Sequence, residues 1–426
     1  MSCAQLLKIS VAAYFVEYTK PMQKILAAFK LRDPGPAFGM LAGHAATHWM
    51  IGVFYILLPF IREEYQFTYL QIGWLLTSFE AGVLIFSLVS GPVVDMSGRR
   101  VVFQVCALAI GGLAMVAFSV APNFLSFCFL AALVGGMTQF WHAPATAFLS
   151  FYYTSNWGYV VGLHGMGANI GEAIGPLVAG MVIASTTWQM GALVPAAASI
   201  SAAIMLFIFL IPKDVNKREE QPRGMSFEQY LRGFVSLLRN FDVIILCCMM
   251  GMRSTAQLLI RTFVPLYMRD VMGAGASLIG TVYAVMHIGG MIANPIGGLA
   301  SDNYGRKPIL ILALLAATAI ILVMTFVGNE ILFVIGIGFL GFTLYATRPV
   351  TQSWILDMVP QKLHATSVAV RSVIQSFFGL AAPPIGGWVA DSYGLLMVFY
   401  GIAILLLMAN VLTIFVPEYK KPPGAT

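Results

Sequence analysis

The chain has 426 residues, of which 59% are hydrophobic and only 10% are charged, and its formal net charge is +6. Soluble domains carry about 25% charged residues, and a soluble protein of this length could not bury so much apolar surface. The composition therefore excludes a soluble globular protein. The five cysteines lack the paired spacing of a metal or redox motif, which favours buried, inert thiols.

The first 37 residues are predicted to form a cytoplasmic segment. They do not resemble a signal peptide, because Glu17 interrupts a short apolar stretch and no small-residue cleavage site follows. Apolar residues recur at helical spacing from 22 to 29 beside lysines. This pattern predicts an amphipathic helix on the membrane surface, and a disordered tail is the alternative.

Apolar runs of about 20 residues, the length that crosses the hydrocarbon core, recur along the rest of the chain. In a first half, 38–212, spans one to six are predicted at 38–61, 70–94, 101–120, 125–147, 158–183 and 191–212. In a second half, 241–417, spans seven to twelve are predicted at 241–266, 275–299, 309–328, 330–353, 365–389 and 395–417. A polar connector, 213–240, holds a predicted short amphipathic helix near 227–238, and 418–426 form a tail.

The distribution of Lys and Arg predicts the orientation. The tails, the connector and the loops after even-numbered spans hold eighteen of the 24 Lys and Arg residues, whereas the opposite side holds only Arg62 and Arg269. By the positive-inside rule, both termini are predicted in the cytoplasm of a cell, with the protein in the plasma membrane (the inner membrane of a bacterium). Such clustering on one side of a membrane also argues against nucleic acid as the partner.

A loop signature, G-x-x-x-D-x-x-G-R-[RK], follows both span two and span eight. Its copies are Gly91, Asp95, Gly98, Arg99, Arg100 and Gly298, Asp302, Gly305, Arg306, Lys307. A carboxylate at a helix end can pair with a nearby arginine and with the positive N-terminus of an adjacent helix, which suits a gate. A topology anchor is the alternative. The spacing recurs without arginines at Gly387, Asp391 and Gly394, where it is interpreted as a vestige.

The repeated loop resembles the signature of the major facilitator superfamily, and the resemblance extends over about 38–417. The string Gly171–Pro176 in span five is similar to the G-x-x-x-G-P motif of antiporters in that family. Shorter strings at His44, Trp141–Pro144, Gly162–Gly165 and Arg261–Pro265 resemble the fosmidomycin-resistance group of efflux proteins. The resemblance implies an all-α integral membrane fold of twelve transmembrane helices, in two six-helix halves related by pseudo-two-fold symmetry around a central cavity.

Ionisable residues within the spans are the candidate functional groups, because each costs roughly 2.5–3.5 kcal/mol near the bilayer centre. They are absent from spans three, six, nine and twelve, which are the outer helices of the superfamily fold. They comprise His44, His48, Glu80, His142, His164, Glu172, Arg253, Arg261, His287, Arg348 and Arg371. The carboxylates lie in the first half and the four arginines in the second, which predicts proton handling in one half and anion binding in the other.

All of these candidates except His142 receive a predicted role. The proton-coupling residues are predicted to be Glu80, Glu172, His44 and His164, because a carboxyl group in a low-dielectric cavity disfavours its charged form. The substrate-binding residues are predicted to be Arg253, His48, His287, Arg261 and Tyr283. Arg348 and Arg371 are expected at the gate, paired with Asp357.

Several of these roles have structural alternatives. His44 and His48 lie one helical turn apart, but no full set of metal ligands is visible, so no metal is predicted. His164 and Glu172 are alternatively structural partners of neighbouring helices. Arg253 has no acid nearby in its own span, so Glu80, Glu172 or the substrate is its expected partner.

The sequence predicts a transporter and not an enzyme. It contains no Walker-type phosphate-binding motif, so no cofactor is expected and the energy must come from an ion or solute gradient. The predicted function is secondary active transport of a small organic, anionic or amphiphilic solute, as a proton-coupled efflux antiporter. Uptake or exchange of an organic anion or metal chelate is the alternative, and a receptor or scaffold without flux is a third. The expected partners are the solute, protons and membrane lipid, and the expected state is a monomer.

Overall fold

A computed structural model describes residues 33–153, 157–215, 227–360 and 363–418, and within these ranges all regular structure is helical. The predicted surface helix at 22–29 lies outside the described residues. The helices are α1 Gly35–Tyr65, α2 Tyr69–Ser97, α3 Arg100–Phe118, α4 Phe124–Phe140, α5 His142–Tyr152, α6 Trp157–Ser185, α7 Trp188–Phe209, α8 Ile211–Val215, α9 Phe227–Leu238, α10 Phe241–Asp270, α11 Ala276–Tyr304, α12 Arg306–Met324, α13 Glu330–Met358, α14 His364–Tyr393 and α15 Leu395–Phe415.

Among the described residues, twelve helical stretches are long and apolar enough to cross a membrane, as the sequence predicts. Each predicted span corresponds to one helix, except that span four consists of α4 and α5, which meet at Trp141. The short α9 occupies the connector where an amphipathic helix is predicted. The all-helical fold of two six-helix halves is therefore confirmed.

The helices extend a few residues beyond the predicted spans, because capping and not hydropathy sets their ends. Thr68 and Gln71 form a capping box at the start of α2, and Asn123 and Ser126 form another at the start of α4. Asn329 caps α13 through the backbone N–H of residue 332. Polar caps satisfy the free N–H groups where each helix enters the interfacial region.

The helices of the four predicted spans without ionisable residues lie on the outside of each half. In the first half α3 packs on α4 and α7, and in the second half α12 packs on α13 and α15. Contact between the halves comes mainly from α2 with α14 and from α6 with α11. The inner helices are therefore those that carry the ionisable residues, which is the arrangement that the sequence predicts.

The two halves are in contact at one end of the bundle. We call the side where α1 begins and α15 ends the terminal face, and the other side the opposite face. Near the opposite face, a Cβ atom on Gly73 of α2 would lie 2.6 Å from Cα of Pro384 in α14, and one on Gly180 of α6 would lie 2.7 Å from the carbonyl oxygen of Ala276 in α11. Only glycine permits backbones to approach so closely.

The same helices are apart towards the terminal face. A Cβ atom on Gly91 of α2, or on Gly162 or Gly165 of α6, would meet no atom of the described residues within 4 Å. The cavities between the halves lie on this side of the glycine contacts. The bundle is therefore closed at the opposite face and open towards the terminal face.

Candidate substrate and proton site

The centre of the candidate site is the carboxylate of Glu172 in α6, which is only 3% exposed. Its Oε1 lies 3.1 Å from Nδ1 of His48 in α1 and 3.8 Å from Nη1 of Arg261 in α10, and its Oε2 lies 3.3 Å from Nε2 of His287 in α11. Three predicted site residues from different helices thus surround a predicted proton-coupling residue. Because His48 belongs to the first half and the other two to the second, this carboxylate links the halves.

The G-x-x-x-G-P string brings Glu172 to this position. Gly175 faces α1, where an added Cβ would lie 2.9 Å from Cγ of Trp49, and Gly171 faces Cβ of His48 at the same distance. The two glycines allow α6 to pack closely on α1, so the side chain between them enters the centre of the bundle. In this fold the motif serves helix packing and the placement of a carboxylate together.

The contact between Glu172 and His287 requires a proton. Nδ1 of His287 lies 2.8 Å from the carbonyl oxygen of Tyr283, which accepts only, so Nδ1 carries a hydrogen. In a neutral imidazole Nε2 would then hold a lone pair towards a carboxylate oxygen. The pair is favourable only if a proton resides on Nε2 or on the carboxyl group. The contact therefore depends on one proton between Glu172 and His287, and the exchange of that proton stays a prediction.

Tyrosines surround Arg261 and His287. The guanidinium carbon of Arg261 lies 4.9 Å from the ring centre of Tyr55, and the ring of Tyr283 stacks on His287 at 4.6 Å. The Tyr283 hydroxyl is buried and finds no hydrogen-bond partner in the part of the chain that the structure describes. Sequence reasoning named Tyr283 but missed Tyr55, because aromatic residues are common in membrane spans and nothing in the local sequence distinguishes this one.

Arg253 does not pair with Glu80 or Glu172. Its Nη2 donates to the carbonyl oxygen of Leu344 in α13 at 2.5 Å, and within the described residues no carboxylate lies at ion-pair distance from it. Of the expected partners of Arg253, neither carboxylate is paired with it in the described structure, and the solute stays a prediction. Arg253 and Arg261 are eight residues apart, or about 12 Å along a helix, and the carboxylate of Glu172 lies at the level of Arg261.

All four intramembrane arginines line one cavity of about 540 Å³ in the second half. The expected pairing of Arg348 and Arg371 with Asp357 is not formed in the described structure. Arg371 instead donates to the amide oxygen of Gln352, and the guanidinium carbon of Arg348 lies 4.5 Å from the ring centre of Tyr345. These arginines therefore face the cavity, and their role at a gate stays a prediction.

Amide side chains accompany the arginines, and sequence reasoning missed them. Arg253, Gln257 and Arg261 follow one another at intervals of four residues on α10, so they share a face, and all three line this cavity. Gln375 of α14 lines it as well and donates to the hydroxyl of Ser254 at 2.9 Å. The i, i+4, i+8 spacing of long polar residues in an apolar span was the available signal.

Glu80 of α2 occupies a smaller, adjoining cavity of about 230 Å³, which also includes Ser254 and Arg261. Within the described part of the chain, its carboxyl group makes no hydrogen bond or ion pair. It is therefore a second carboxyl group in the bundle interior, separate from the Glu172 cluster and facing the open space between the halves.

Histidines continue from Glu172 towards the terminal face. The His48 ring lies 4.7 Å from that of His44, and His44 stacks on His164 at 3.9 Å between ring centres. His142, at the break between α4 and α5, lies 5.2 Å from His44. The structure thus brings the predicted proton-coupling residues His44 and His164 into one cluster with His48.

The two copies of the loop signature make contacts within their own halves. In the second copy, Nη1 of Arg306 lies 2.5 Å from Asp302 and its Nε lies 3.2 Å from Asp357. In the first copy, Arg100 is buried and lies 3.7 Å from Asp214. The side chain of Asp95 lies outside the described part of the structure, so the gating role of this motif stays a prediction.

Asp391, interpreted from sequence as part of a vestige, connects the two halves at the opposite face. Its carboxylate accepts the backbone N–H groups of Tyr69 and Leu70, at 2.9 and 2.8 Å, at the N-terminus of α2. Nearby, Arg62 pairs with Asp270 at 3.1 Å. The earlier interpretation is wrong because the partner of Asp391 is a helix end distant in sequence, which no local pattern predicts.

Comparison with known proteins identifies relatives of this chain. The sequence profile of the Major Facilitator Superfamily matches residues 40–293 and 243–426. The hexuronate transporter of Bacillus subtilis (strain 168) is 22% identical over 87% of this chain and 91% of its own length. The multi-drug resistance efflux pump PmrA of Streptococcus pneumoniae is 30% identical over 38% of this chain and 42% of its own length.

Among solved structures, a bacterial homologue of the human lysosomal transporter Spinster, in an inward-facing and unoccupied conformation, has a similar fold. It superimposes with a TM-score of 0.74 at 15% identity, and the match covers 91% of this chain and 98% of that one. At this identity the likeness concerns the fold alone. The match extends over both halves of the bundle.

Proposed function

The chain belongs to the Major Facilitator Superfamily, and from this premise we propose that it transports a small organic anion together with a proton, in the same direction. Secondary transport is the activity of the superfamily, and twelve helices make the protein a multi-pass membrane protein. The proposal adds the class of solute and the sign of its coupling to protons. It rests on one observation, the position of Glu172 between the two halves.

The proposed coupling is a competition for Arg261. In the described conformation the Glu172 carboxylate and an anionic solute are alternative partners of this guanidinium. Leaving a buried carboxylate without its cation costs about 3–5 kcal/mol, so the solute displaces it readily only when Glu172 is protonated. Proton binding therefore favours anion binding, and by linkage the anion favours the proton by the same factor.

This sign of linkage decides between symport and antiport. Solutes that bind together cross together, whereas an antiporter needs its two substrates to exclude each other. A proton on Glu172 and an anion on Arg261 assist each other, which supports symport. The cluster around Glu172 thus favours a carrier for an organic anion, which is the alternative stated in the sequence analysis, over the predicted efflux antiporter.

The cavity supports an anion of modest size. Four arginines line a space of about 540 Å³, and arginine binds carboxylate or phosphonate groups through two parallel hydrogen bonds. Among the relatives, the hexuronate transporter has a name that denotes sugar acids with a carboxylate group. With the terminal face in the cytoplasm, as the loop charges predict, the described conformation is open inwards.

Export by proton antiport is the second candidate, and Glu80 favours it. An unpaired carboxyl group beside a cavity binds either a proton or a cationic solute, and these exclude each other. The efflux pump PmrA is a relative over part of the chain. In this case the solute would be a cation and Glu80, not Glu172, would carry the proton.

Transport by purified protein in liposomes distinguishes the two candidates. The probes are radiolabelled glucuronate, the phosphonate fosmidomycin and, for the second candidate, the cation tetraphenylphosphonium. Symport of an anion predicts accumulation when the liposome interior is alkaline, beyond the level in protein-free liposomes that corrects for passive weak-acid entry. Accumulation only when the interior is acidic would support antiport and overturn the proposal.

The variant Glu172→Gln tests the carrier of the proton. The neutral amide mimics a protonated carboxyl group, so anion exchange between the two sides should persist while accumulation driven by the pH gradient disappears. Glu80→Gln is the matched control and should retain this accumulation. Loss of accumulation in Glu80→Gln but not in Glu172→Gln would assign the proton to the other cavity.

A further inference from the structure

A cluster of three imidazole rings lies in the first half, where α1, the α4–α5 break and α6 meet. One nitrogen each from His44, His142 and His164 lies within 4.8 Å of the other two. His44 is only 6% exposed. Three neutral imidazoles form one of the commonest ligand sets for late transition metals in proteins.

The hydrogen bonds around His44 leave one nitrogen with a free lone pair. Its Nδ1 lies 2.6 Å from the carbonyl oxygen of His164, and because a carbonyl only accepts, Nδ1 must carry the hydrogen. Nε2 of the neutral ring is therefore unprotonated. It is buried and has no hydrogen-bond partner among the described residues, and the same holds for Nδ1 of His164.

Two buried and unsatisfied nitrogens in one cluster need an explanation, since buried polar atoms usually have a partner. A water molecule would satisfy one or two of them. A metal ion satisfies both, takes a nitrogen of His142 as its third ligand and explains the tautomer, because a metal-bound histidine almost always donates its other N–H to a backbone carbonyl or carboxylate. The bond from His44 to the His164 carbonyl is a contact of that kind.

We propose that His44, His142 and His164 bind one divalent transition-metal ion, with Zn²⁺ as the reference cation. Two nitrogens on one tetrahedral Zn²⁺, each at about 2.1 Å, lie about 3.4 Å apart. The nitrogens must therefore approach by up to about 1.4 Å, and the His164 ring must turn out of its parallel stack on His44 so that the two lone pairs converge. Rotation of His142 and His164 about the broad χ2 torsion permits this and keeps the bond from His44 to the His164 carbonyl. A water molecule or a solute atom completes the coordination.

The donor set selects the metal. Imidazole nitrogen favours Zn²⁺, Co²⁺, Ni²⁺ and Cu²⁺, whereas Ca²⁺ and Mg²⁺ require oxygen ligands. Within the described residues, no carboxylate is part of the three-histidine group. The site should therefore bind Zn²⁺ and Co²⁺ and ignore Mg²⁺.

The cluster is next to the Glu172 site but separate from it. His48, whose Nδ1 lies 3.1 Å from Glu172, is 4.7 Å from His44 between ring centres. Metal binding itself does not depend on which solute or coupling is correct.

The test is direct metal binding to the purified full-length chain, prepared with an affinity tag that contains no histidine. After incubation with Zn²⁺ and gel filtration in detergent, elemental analysis should find about one zinc per chain. Co²⁺ should give the visible absorption of a tetrahedral nitrogen site, and Mg²⁺ should not compete. His142→Gln and His164→Gln should each weaken Zn²⁺ binding at least tenfold.

The control variant is His364→Gln, which removes a histidine at the start of α14 and should bind Zn²⁺ as the unmodified chain does. His142→Gln is the principal variant, because His44 also holds the α6 backbone and its loss can affect folding. A chain without zinc and without a cobalt spectrum would overturn the proposal. Equal losses in His142→Gln and His364→Gln would overturn it too, since binding would then be non-specific.

Discussion

Replacing Asp391 by Asn should open the opposite face. In the closed state its carboxylate accepts two backbone N–H groups of α2, at 2.9 and 2.8 Å. The amide of Asn retains one acceptor oxygen, so one of these bonds is lost, together with the attraction between a negative charge and the helix N-terminus. Both contacts exist only while α2 and α14 are together.

The size of the effect follows from the free energies of the lost hydrogen bond and of the lost attraction between the charge and the helix N-terminus. A hydrogen bond to a charged group contributes about 1.5–3 kcal/mol, and a charge at a helix N-terminus adds about 0.3–1 kcal/mol. A loss of about 2–4 kcal/mol corresponds to a change of roughly 30-fold to 900-fold in the ratio of closed to open molecules. That is enough to make a minor open population the major one.

Electron–electron distance measurements between spin labels should detect the change. Thr186 and Glu330 are exposed on the opposite face, one in each half, and accept labels in a cysteine-free chain. Asp391→Asn should transfer most molecules to a longer distance. Glu63→Gln is the matched control, because the ion pair of Glu63 with Arg269 is partly exposed and such pairs contribute only about 0–1 kcal/mol. A distribution in Asp391→Asn that equals the control would refute the reasoning.

Three further predictions concern the site, the glycine contacts and the terminal face. Arg261→Lys should weaken anion binding by about 10-fold or more, because lysine cannot donate the two parallel hydrogen bonds of a guanidinium. Calorimetry with glucuronate measures this change. Arg253→Lys should have the smaller effect, since a lysine can still donate to the Leu344 carbonyl. Gly73→Ala should favour the longer label distance, because the new methyl group meets the α14 backbone at 2.6 Å, whereas Gly401→Ala, with no neighbour within 4 Å, should not. The hydrogen bond from Lys213 holds the pKa of Asp33 in the folded protein below its ordinary value. This contact therefore stabilises the fold above about pH 3.9, the ordinary pKa of Asp in the unfolded chain. The stabilisation is lost as the pH falls through the lower pKa of the folded state. Asp33→Asn should therefore lower the melting temperature at pH 6, and its difference from the unmodified chain should shrink at pH 3.

The fold was predictable because membrane insertion restricts the choices. A run of about 20 apolar residues in a bilayer must be a helix, since no other local structure satisfies its own backbone. The absence of ionisable residues from spans three, six, nine and twelve, which form most of α3, α7, α12 and α15, correctly indicated the outer positions. Helix ends were less predictable, because residues such as Thr68 and Asn329 set them through hydrogen bonds and not through hydropathy.

The site was predictable in its residue types but not in its pairing. The sequence indicated that Glu172, His48, His287 and Arg261 were expensive in a membrane and hence functional, and the structure places them together. It could not indicate that Arg261, and not Arg253, lies level with Glu172. The position of a residue along its own helix does not determine how far that helix is shifted along its neighbours. The same limit hid Asp391, whose partner is more than three hundred residues away in sequence.

The contacts that close the opposite face form a seam between α2 and α14, and this seam also determines where the membrane voltage acts. Along α2 its contacts run from Tyr69 through Gly73 to Thr77, which is eight residues or about 12 Å of helix. A solvent-filled cavity conducts ions and sustains little voltage, so most of the potential across a core about 30 Å thick falls over this seam. The field there is about 2.5 times the average, and one charge that crosses the seam performs nearly the full work of about 2.3 kcal/mol per 100 mV.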